Sequence, residues 1–416
     1  MRAGLPTFFE YVVLALGAVF AIYSAYLGTL FLVGGNSIWR RHSNDDDPVR
    51  ISSSLPRVSV IVAVKDEARV AARLVDGLKA LLYDSSRIEF IVVEDGSSDG
   101  TLEGVRLRSA DDPRFRLLHV DNSEGKAGAL NQGLAISGGE LIFIMDADCV
   151  PQPDLLLKAV AQYRKGRQVL VGYFKILNAN QNLYTRLSVF EELLWHVMNV
   201  GRNILGLSVP VSGCCSVISR RALQDAGFYF TPHLAEDAEV GLRLLKAGYP
   251  GYHMSSFVWQ EAPSKASALL AQRLRWYRGY IDASLMNTDV FRHTEFKKAL
   301  DSMLNFSTPF FALASILSWA LSIASIPQTA SSITLLLFVV GFFGANLASV
   351  FLLGLGLAVV SGQDALEMVK LSPLIYLYTT MLSLASVLAI FQILLRRRGV
   401  WTKTPRTGYV DVPGLP

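Results

Sequence analysis

Four long apolar stretches constrain this chain more than any other feature of its sequence. They cover residues 8–33, 307–326, 333–360 and 371–395, and each reaches the ~20 residues that an α-helix needs to cross a bilayer. Only 18% of the 416 residues are charged, whereas soluble domains carry about 25%. The polar block between the stretches, residues 51–300, is long enough for a domain with its own core. The sequence therefore predicts a membrane protein that carries one large polar domain.

The boundaries of these stretches divide the chain into four parts. We predict an anchor and linker at residues 1–50, a catalytic domain at 51–285, interfacial helices at 286–306, and C-terminal membrane helices with a tail at 307–416. The first stretch far exceeds the ~7–15 apolar residues of a signal peptide, which favours a retained anchor. Residues 43–54 (SNDDDPVRISSS) have the composition of an exposed linker.

Positive charges indicate how the chain is oriented. Residues 39–42 (WRRH), with Arg50 and Arg57, follow the first stretch, and such charge marks a cytoplasmic flank. We expect an outward N-terminus, a cytoplasmic polar domain and a multi-pass protein of the plasma membrane. Three further crossings would leave the C-terminus outside, whereas residues 396–398 (RRR) indicate the cytoplasm. One late stretch therefore either lies in the interface or re-enters the membrane.

Within the polar block, β-branched runs alternate with helical patterns. Residues 58–63, 90–93 and 141–145 have the composition of buried strands, and residues 67–82 and 127–136 that of helices. This alternation predicts an α/β domain with a parallel sheet. Ligands of such sheets bind beyond the carboxyl ends of the strands. Three polar clusters follow the strands and should meet on one rim: Lys65-Asp66-Glu67, Glu94-Asp95 and Asp146-Ala147-Asp148.

Asp146 and Asp148 are candidate ligands of a hard divalent cation. Mg²⁺ and Mn²⁺ prefer oxygen ligands, and Mg²⁺ is usually held by one or two carboxylates together with substrate phosphates. The alternative is a pair of solvated loop acids, against which the preceding strand and the shared rim argue. Asp95 is a candidate to accept hydrogen bonds from a nucleotide base or ribose, and the plainer interpretation is an Asx-turn. Lys126, beside a predicted helix N-terminus, suits a phosphate.

Cysteine and histidine offer no metal site in this sequence. Cys149, Cys214 and Cys215 have no ligand spacing, so we expect buried reduced thiols. The six histidines form no H-x-x-H pattern. The net charge of +4 is small; it suits a surface of anionic membrane lipids and gives no reason to expect a nucleic-acid partner.

Successive segments of the polar block resemble the motifs of family 2 glycosyltransferases. The first four are residues 58–67 (VSVIVAVKDE), 94–101 (EDGSSDGT), 125–131 (GKAGALN) and 145–151 (MDADCVP). Three later segments resemble the membrane-embedded Q-x-x-R-W branch: residues 235–237 (AED), 259–263 (WQEAP) and 272–276 (QRLRW). That branch includes cellulose, chitin, hyaluronan and poly-N-acetylglucosamine synthases and ceramide glucosyltransferase. The resemblance implies a GT-A fold, with a Rossmann-like mixed sheet, and a nucleotide-sugar donor.

The resemblance also implies a role for each matching residue. It assigns donor binding to Glu67, Asp95, Lys126, Asp146, Gln272 and Arg275. It assigns acceptor binding to Trp276 and Glu236. It makes Asp237 the general base, and Asp148 with Asp146 the ligands of Mg²⁺ or Mn²⁺, Asp148 being the stronger candidate. Residues 401–406 (WTKTPR) resemble a cytosolic gating segment found near the ends of some synthases.

Several of these residues also have plainer interpretations. Asp237 begins a predicted helix, where Asp is a favoured N-cap, and Glu239 is expected on the exposed face of the same helix. Residues 264–280 mix basic and aromatic residues, as interfacial helices do, and we expect that helix both to lie at the membrane and to complete the site. Because residues 63–67 (AVKDE) depart from the family's usual Pro-aromatic-Asn pattern, Asp66 is expected to share the role of Glu67.

These features predict an inverting, processive glycosyltransferase that uses a UDP-sugar to extend a polysaccharide at the membrane and translocate it. The alternative is a lipid glycosyltransferase that adds one sugar to a membrane lipid, and a more remote one is a non-catalytic scaffold or transporter. A translocation tunnel would need a polar lining, although such residues also pack membrane helices together. The candidates for that lining are Asn305, Ser307, Asn346, Gln363, Tyr376 and Tyr378. The sequence does not identify the sugar or the oligomeric state.

Overall fold

The computed structural model describes residues 8–41, 55–121, 123–229, 233–328, 333–361, 365–397 and 403–408. The predicted linker, Gln363, Arg398 and Trp401 lie outside these residues, as does the side chain of Asn346. Fourteen α-helices are present in the described part. They are α1 (Phe8–Arg41), α2 (Ala71–Lys79), α3 (Thr101–Ser109), α4 (Lys126–Ile136), α5 (Leu155–Tyr163), α6 (Leu183–Ile204), α7 (Arg220–Asp225), α8 (Glu236–Lys246), α9 (Ala266–Met286), α10 (Val290–His293), α11 (Phe296–Phe306), α12 (Thr308–Ser325), α13 (Ile333–Ser361) and α14 (Ala365–Leu394).

One eight-stranded mixed sheet forms the centre of the polar domain. Its strands are β1 (Val58–Val64), β2 (Ile88–Asp95), β3 (Phe115–Val120), β4 (Leu141–Ile144), β5 (Val150–Pro151), β6 (Val169–Ile176), β7 (Ser216–Ser219) and β8 (Gly251–Gln260). The spatial order is β3-β2-β1-β4-β7-β6-β8-β5. The first four strands in space run parallel, and β7 is antiparallel to both β4 and β6. The carboxyl ends of β1, β2 and β4 therefore share one rim, as predicted.

Hydrophobic layers cover both faces of this sheet. Along β1, Val60 and Val62 pack into the layer formed with α2 and α5, whereas Ile61 packs into the layer formed with α4 and α8. Successive side chains of a strand point to opposite faces, so a sheet buried on both sides requires uninterrupted apolar residues. The continuous run in β1 meets that requirement and confirms the predicted α/β architecture.

The sequence patterns missed several elements of the domain, and two of them lie early in it. Helix α3 and strand β3 lie between β2 and α4, where we predicted only a loop. Strand β3 is an edge strand whose side chains are half-buried or exposed, so its sequence (FRLLHV) lacks a continuous apolar run. The helix predicted at 67–82 begins at Ala71 and ends at Lys79, because residues 65–70 form the turn that leads out of β1.

The apolar stretches form long helices, as predicted. Among the described residues, two helical segments are long and apolar enough to cross a membrane, Tyr11–Arg40 in α1 and Met368–Leu394 in α14. Helices α11 and α12 pass the same test only as a pair, and they are bent by 58° at their junction. The region predicted as interfacial helices, 286–306, contains the end of α9 together with α10 and α11.

The anchor helix α1 is fixed to the catalytic domain through α6. A Cβ atom at Gly201 would overlap the Leu30 carbonyl oxygen, and one at Gly34 would overlap that of Val197. Only glycine permits such a close approach of two backbones. Arg202 of α6 is fully buried beside this crossing and pairs with Asp301 of α11 at 3.3 Å.

Two of the candidate tunnel residues are occupied by packing contacts. The Asn305 side-chain oxygen accepts a hydrogen bond from Arg202 Nη2 at 2.9 Å. The Tyr378 hydroxyl donates to Glu191 Oε2 at 2.7 Å. Both contacts join different helices, which supports the packing interpretation for these two positions.

Candidate active site

A cavity of about 410 Å³ opens at the shared rim and continues toward the membrane helices. Every residue that the sequence assigned to the site lines it: Glu67, Asp95, Lys126, Asp146, Asp148, Glu236, Asp237, Gln272, Arg275 and Trp276. These side chains come from the ends of three strands and from α4, α8 and α9. The cavity thus brings together residues that lie up to 209 positions apart in the sequence, from Glu67 to Trp276.

The first part of the cavity lies at the ends of β1 and β2. Asp95 accepts a hydrogen bond from the Ser123 backbone N–H at 2.9 Å and lies 3.3 Å from Lys65 Nζ. The Asx-turn alternative for Asp95 is wrong, because the Ser97 N–H that would close such a turn donates to Glu94 instead. Asp95 is therefore held at the rim by contacts outside its own loop.

Asp66 does not share the place of Glu67. Asp66 adopts a left-handed backbone conformation (φ 53°), and its carboxylate accepts from the Ser98 N–H at 2.8 Å. Glu67 lines the cavity instead. Burial raises the pKa of Glu67 to about 7, and the ammonium of Lys403, 3.3 Å away, opposes that rise.

Asp146, Asp148 and Cys149 bring three potential ligand atoms within 4.8 Å of one another. The two carboxylates fit Mg²⁺ or Mn²⁺, which prefer oxygen ligands. Burial raises the pKa of the Cys149 thiol well above its ordinary value, so the sulfur stays protonated and is a poor ligand. Asp148 is 4% exposed, and Gln260 Nε2 lies 3.4 Å from its Oδ1.

Lys126 connects the metal-site loop to α8. Its Nζ lies 2.6 Å from Asp146 Oδ1 and 2.7 Å from Glu236 Oε1. Burial lowers the pKa of Lys126, but the carboxylates of Asp146, Glu236 and Asp237 outweigh it and raise that pKa well above its ordinary value. Lys126 therefore remains a cation between two acids in the cavity.

Asp237 is the second residue of α8, which begins at Glu236 and has Ala235 as its N-cap. The N-cap interpretation of Asp237 is therefore wrong. Its Oδ2 accepts from the Gly213 N–H at 2.8 Å, and its Oδ1 from the Ala238 N–H at 2.8 Å. Burial, and then the charge of Glu236, raise the pKa of Asp237 above its ordinary value. A carboxylate so placed is a better proton acceptor than a free Asp.

Glu239 was expected on an exposed face, and that expectation is wrong. The residue is 2% exposed and forms a salt bridge with Arg243 at 2.7 Å. Arg243 in turn donates to the Phe228 carbonyl oxygen at 2.6 Å. Glu239 thus fastens α8 to the segment before it and does not face the cavity.

Helix α9 supplies the residues that cover the cavity. Arg275 lines it, and its Nε is buried without a hydrogen-bond partner among the described residues. An unpaired buried guanidinium nitrogen is costly, which fits a site for an anionic ligand.

Sequence reasoning missed Arg273: its guanidinium stacks 4.0 Å over the Trp276 ring and pairs with Glu191 at 2.6 Å.

The tail segment 403–408 reaches into the same cavity. Arg406 Nε lies 3.0 Å from Asp148 Oδ2. Glu261 belongs to the segment 259–263 (WQEAP) and binds this tail. Its Oε2 accepts from the Thr407 N–H at 2.8 Å and from the Thr407 hydroxyl at 2.9 Å. The tail thus contacts the catalytic domain beside the predicted metal ligands.

One face of α6 forms the membrane-facing end of the cavity. Glu192, Trp195 and Asn199 line it, and sequence reasoning did not single out any of them. Their spacing of three and four residues, which places them on one face of the helix, was the available signal. The same spacing is common in helices without a ligand, so it could not identify a site.

The fold has the GT-A architecture. Residues 59–227 match the family described as Glycosyl transferase family 2. A solved structure of a mannosyltransferase from Pyrobaculum calidifontis, in complex with GDP-Man and Mn²⁺, covers 92% of this chain and 100% of its own, with a TM-score of 0.58 at 20% identity. At that identity the likeness concerns the fold.

Two curated relatives are named for different products. A beta-monoglucosyldiacylglycerol synthase from Nostoc is 28% identical over 285 residues, covering 63% of this chain and 59% of the relative. A poly-beta-1,6-N-acetyl-D-glucosamine synthase from Staphylococcus aureus is 23% identical over 265 residues, covering 62% of this chain and 63% of the relative. The chain therefore spans less than two thirds of the length of either relative.

Proposed function

We propose that this protein transfers a single sugar from a nucleotide sugar to a hydroxyl group of a lipid-borne acceptor at the membrane surface. The observation that carries the proposal is the cavity itself, which joins a carboxylate rim to a wall of helix α6. The rim end suits a nucleoside diphosphate, and the α6 end lies against the anchor helix. An acceptor held in the bilayer can approach from that end.

The donor is proposed to lie along the rim. Asp95 and Glu67 would contact its nucleoside, and Lys126 and Arg275 its diphosphate. A UDP-sugar is the first donor to test, and a GDP-sugar the second, since the Pyrobaculum mannosyltransferase was solved with GDP-Man. Gln272, which is buried at the same end of the cavity, would help to close the site over the donor.

Asp148 and Asp146 would hold a divalent cation, Mg²⁺ or Mn²⁺. Such a cation neutralises the charge that develops on a departing diphosphate. Arg275 supports the same charge with its unpaired Nε, since a guanidinium can form forked hydrogen bonds to a diphosphate. Asp146 would bind the cation and also forms an ion pair with Lys126.

Asp237 is proposed to be the general base. As the acceptor oxygen forms a bond to the anomeric carbon, its proton passes to Asp237 and the bond to the diphosphate breaks. A single displacement inverts the anomeric configuration, so an α-linked donor gives a β-linked product. The hydrogen bonds from Gly213 and Ala238 orient the carboxylate, and Trp276 offers an aromatic face to the acceptor, with Glu236 beside it.

A second candidate is processive synthesis of a polysaccharide, and the tail favours it. Lys403 and Arg406 belong to the segment that resembles the gating segment of synthases, and both contact acids in the cavity. Asn305 is held by Arg202 and also lines the cavity; Tyr378 is held by Glu191, which argues against a tunnel at that position. For this reason we place single transfer first.

Product size separates the two candidates. Full-length protein in nanodiscs that contain a membrane lipid extract would be incubated with Mn²⁺ and radiolabelled UDP-glucose, UDP-N-acetylglucosamine or GDP-mannose. Single transfer predicts a product that is soluble in chloroform–methanol and carries one sugar. A water-soluble product that elutes at high mass on gel filtration would refute single transfer and support the synthase. Asp237→Asn protein is the control for background consumption of the donor.

The position of the tail supports a topology that the product assay does not test. If the catalytic domain and residues 403–408 share the cytoplasmic side, the helices α12, α13 and α14 must contribute an even number of crossings. We propose that the bent pair α11–α12 enters and leaves on the same side. Fluorescent and alkaline phosphatase fusions at the C-terminus would test this: only the fluorescent fusion should be active.

A further inference from the structure

Helix α6 turns one side to the cavity and the opposite side to the membrane anchor. Glu192, Trp195 and Asn199 line the cavity, and residues three and four positions apart lie on the same helix face. Gly201 lies on the opposite face, where its backbone meets Leu30 of α1. The helix is therefore the wall between the anchor and the site.

Glu192 is a buried acid without a hydrogen-bond partner among the described residues. It is 9% exposed, and no hydrogen-bond donor of the described residues reaches its carboxyl group. Burial, and then the charge of Glu191, raise the pKa of Glu192 well above its ordinary value. Buried polar groups normally have a partner. An unpaired one that faces a cavity is typical of a ligand site.

Glu191, the neighbouring acid, has a different role. Its carboxylate pairs with Arg273 at 2.6 Å and accepts from the Tyr378 hydroxyl at 2.7 Å. These contacts join α6 to α9 and α14. Glu191 therefore holds helices together, whereas Glu192 lines the cavity.

Asn199 and Trp195 complete the same face. The Asn199 side-chain oxygen accepts from Arg202 Nη1 at 3.1 Å, which fixes the amide and leaves its N–H₂ group without an acceptor among the described residues. Trp195 lies between the two polar residues in the sequence and adds an aromatic surface. Tyr280 of α9 connects this end to the base, since its pKa is raised by burial and by the charges of both Asp237 and Glu192.

We propose that this face of α6, formed by Glu192, Trp195 and Asn199, is the acceptor subsite and binds the glycosyl headgroup of a membrane lipid. The inference rests on the proposed function, and it names the substrate class. A carboxyl group and an amide can hydrogen-bond to sugar hydroxyls, and an aromatic ring packs on the C–H face of a pyranose. A phosphate headgroup fits less well than a sugar, because the acid Glu192 is itself part of this face and the charge of Glu191 acts on it.

The test measures binding, separately from transfer. Octyl β-D-glucoside and 1-O-octylglycerol, which share a chain but differ in the sugar ring, would be titrated below micellar concentrations into full-length protein in nanodiscs with saturating UDP and Mn²⁺. We expect wild-type protein to bind the glucoside at least tenfold more tightly than the glycerol ether. Trp195→Ala and Glu192→Ala should weaken glucoside binding about tenfold, and the Kd for UDP should change less than twofold.

Glu192→Gln keeps a hydrogen-bonding side chain of the same size and should retain most of the affinity. Glu103→Gln, an exposed acid on α3, is the matched control, and melting temperatures would verify folding. Equal binding of the two probes, or full glucoside affinity in Trp195→Ala and Glu192→Ala, would overturn the subsite. Protein that binds the glucoside as expected but transfers no sugar from any nucleotide sugar would refute the proposed function and leave the glycosyl-binding face standing.

Discussion

Arg406 Nε lies 3.0 Å from Asp148 Oδ2, so the C-terminal tail contacts the acid that is the stronger candidate for binding the cation. Asp148 is buried, and burial raises its pKa while Arg406 opposes that rise. A cation at Asp148 would use the same carboxylate that now faces the guanidinium. Tail binding and metal binding are therefore expected to compete.

We predict that Mn²⁺ stabilises the Arg406→Ala protein against heat more than it stabilises the wild-type protein. Removing one partner of a buried ion pair typically costs about 3–5 kcal/mol because the other charge remains unpaired. The melting temperature of Arg406→Ala should therefore fall in EDTA, and Mn²⁺ should restore more of it than in wild-type protein. Arg397→Ala, which changes an exposed arginine at the end of α14, is the control. Equal stabilisation of all three proteins by Mn²⁺ would show that tail and cation do not compete.

The second prediction concerns Asp237. General bases contribute about 10²–10⁴-fold to rate, so Asp237→Asn should lower kcat by that range and leave the Kd for UDP within a factor of about three. Glu239→Gln, two residues further on, should lower the melting temperature instead, because it breaks the buried pair with Arg243. Steady-state kinetics with nucleotide titrations would separate the two effects. An active Asp237→Asn enzyme would assign the base elsewhere.

Arg273 provides the third prediction, because it stacks on Trp276 and pairs with Glu191. Arg273→Ala should raise the KM for the acceptor at least tenfold, since Trp276 loses the group that holds its ring. The buried pair should also show a coupling free energy of about 1–3 kcal/mol in a double-mutant cycle with Glu191→Ala. Additive losses of stability in the cycle would mean that the pair is not coupled.

The fourth prediction is a pH dependence of stability that arises from His196. Its ring lies 3.9 Å from that of Tyr173, and burial, followed by the charges of His253 and Lys175, lowers the pKa of His196 to about 3. Between pH 6.5 and about 3 the unfolded chain binds a proton that the folded protein does not. The free energy of unfolding should therefore fall by up to ~1.4 kcal/mol per pH unit as pH decreases through that window.

His196→Phe should remove this component, and the melting temperature between pH 5 and 7 would measure it. His293→Gln, which changes an exposed histidine on α10, is the control and should retain the wild-type slope. An unchanged slope in His196→Phe would assign the dependence to another group.

The sequence predicted the donor side of the site better than the acceptor side. Asp95 and Asp148 could be placed together because each directly follows a buried strand, and parallel strands bring their carboxyl ends to one edge. Glu192 gave no comparable signal, since its burial depends on how α6 packs against α1 and α9. Arg406 and Glu261 are 145 residues apart, and no local pattern predicts which distant residue a tail will contact.

Strand β3 and residue Glu239 show the limits of local patterns in the fold itself. An edge strand buries only part of one face, so Phe115–Val120 lacks the apolar run that identified β1. Glu239 was assigned to the surface because it is charged, yet Arg243 one turn later allows it to be buried as a pair. The edge position of β3 is set by distant strands, whereas the partner of Glu239 is local but does not by itself show that the pair is buried.

The glycine crossing between α1 and α6 has a consequence for how substrates meet. Gly34 and Gly201 allow the two backbones to touch, so a membrane-spanning α1 would hold the catalytic domain at a set height above the bilayer. The lipid acceptor proposed above would then search only two dimensions to reach the site, whereas the soluble donor would arrive from three. Gly201→Ala would separate the helices and change that height. We expect the variant to bind the lipid acceptor more slowly and to keep its affinity for the donor.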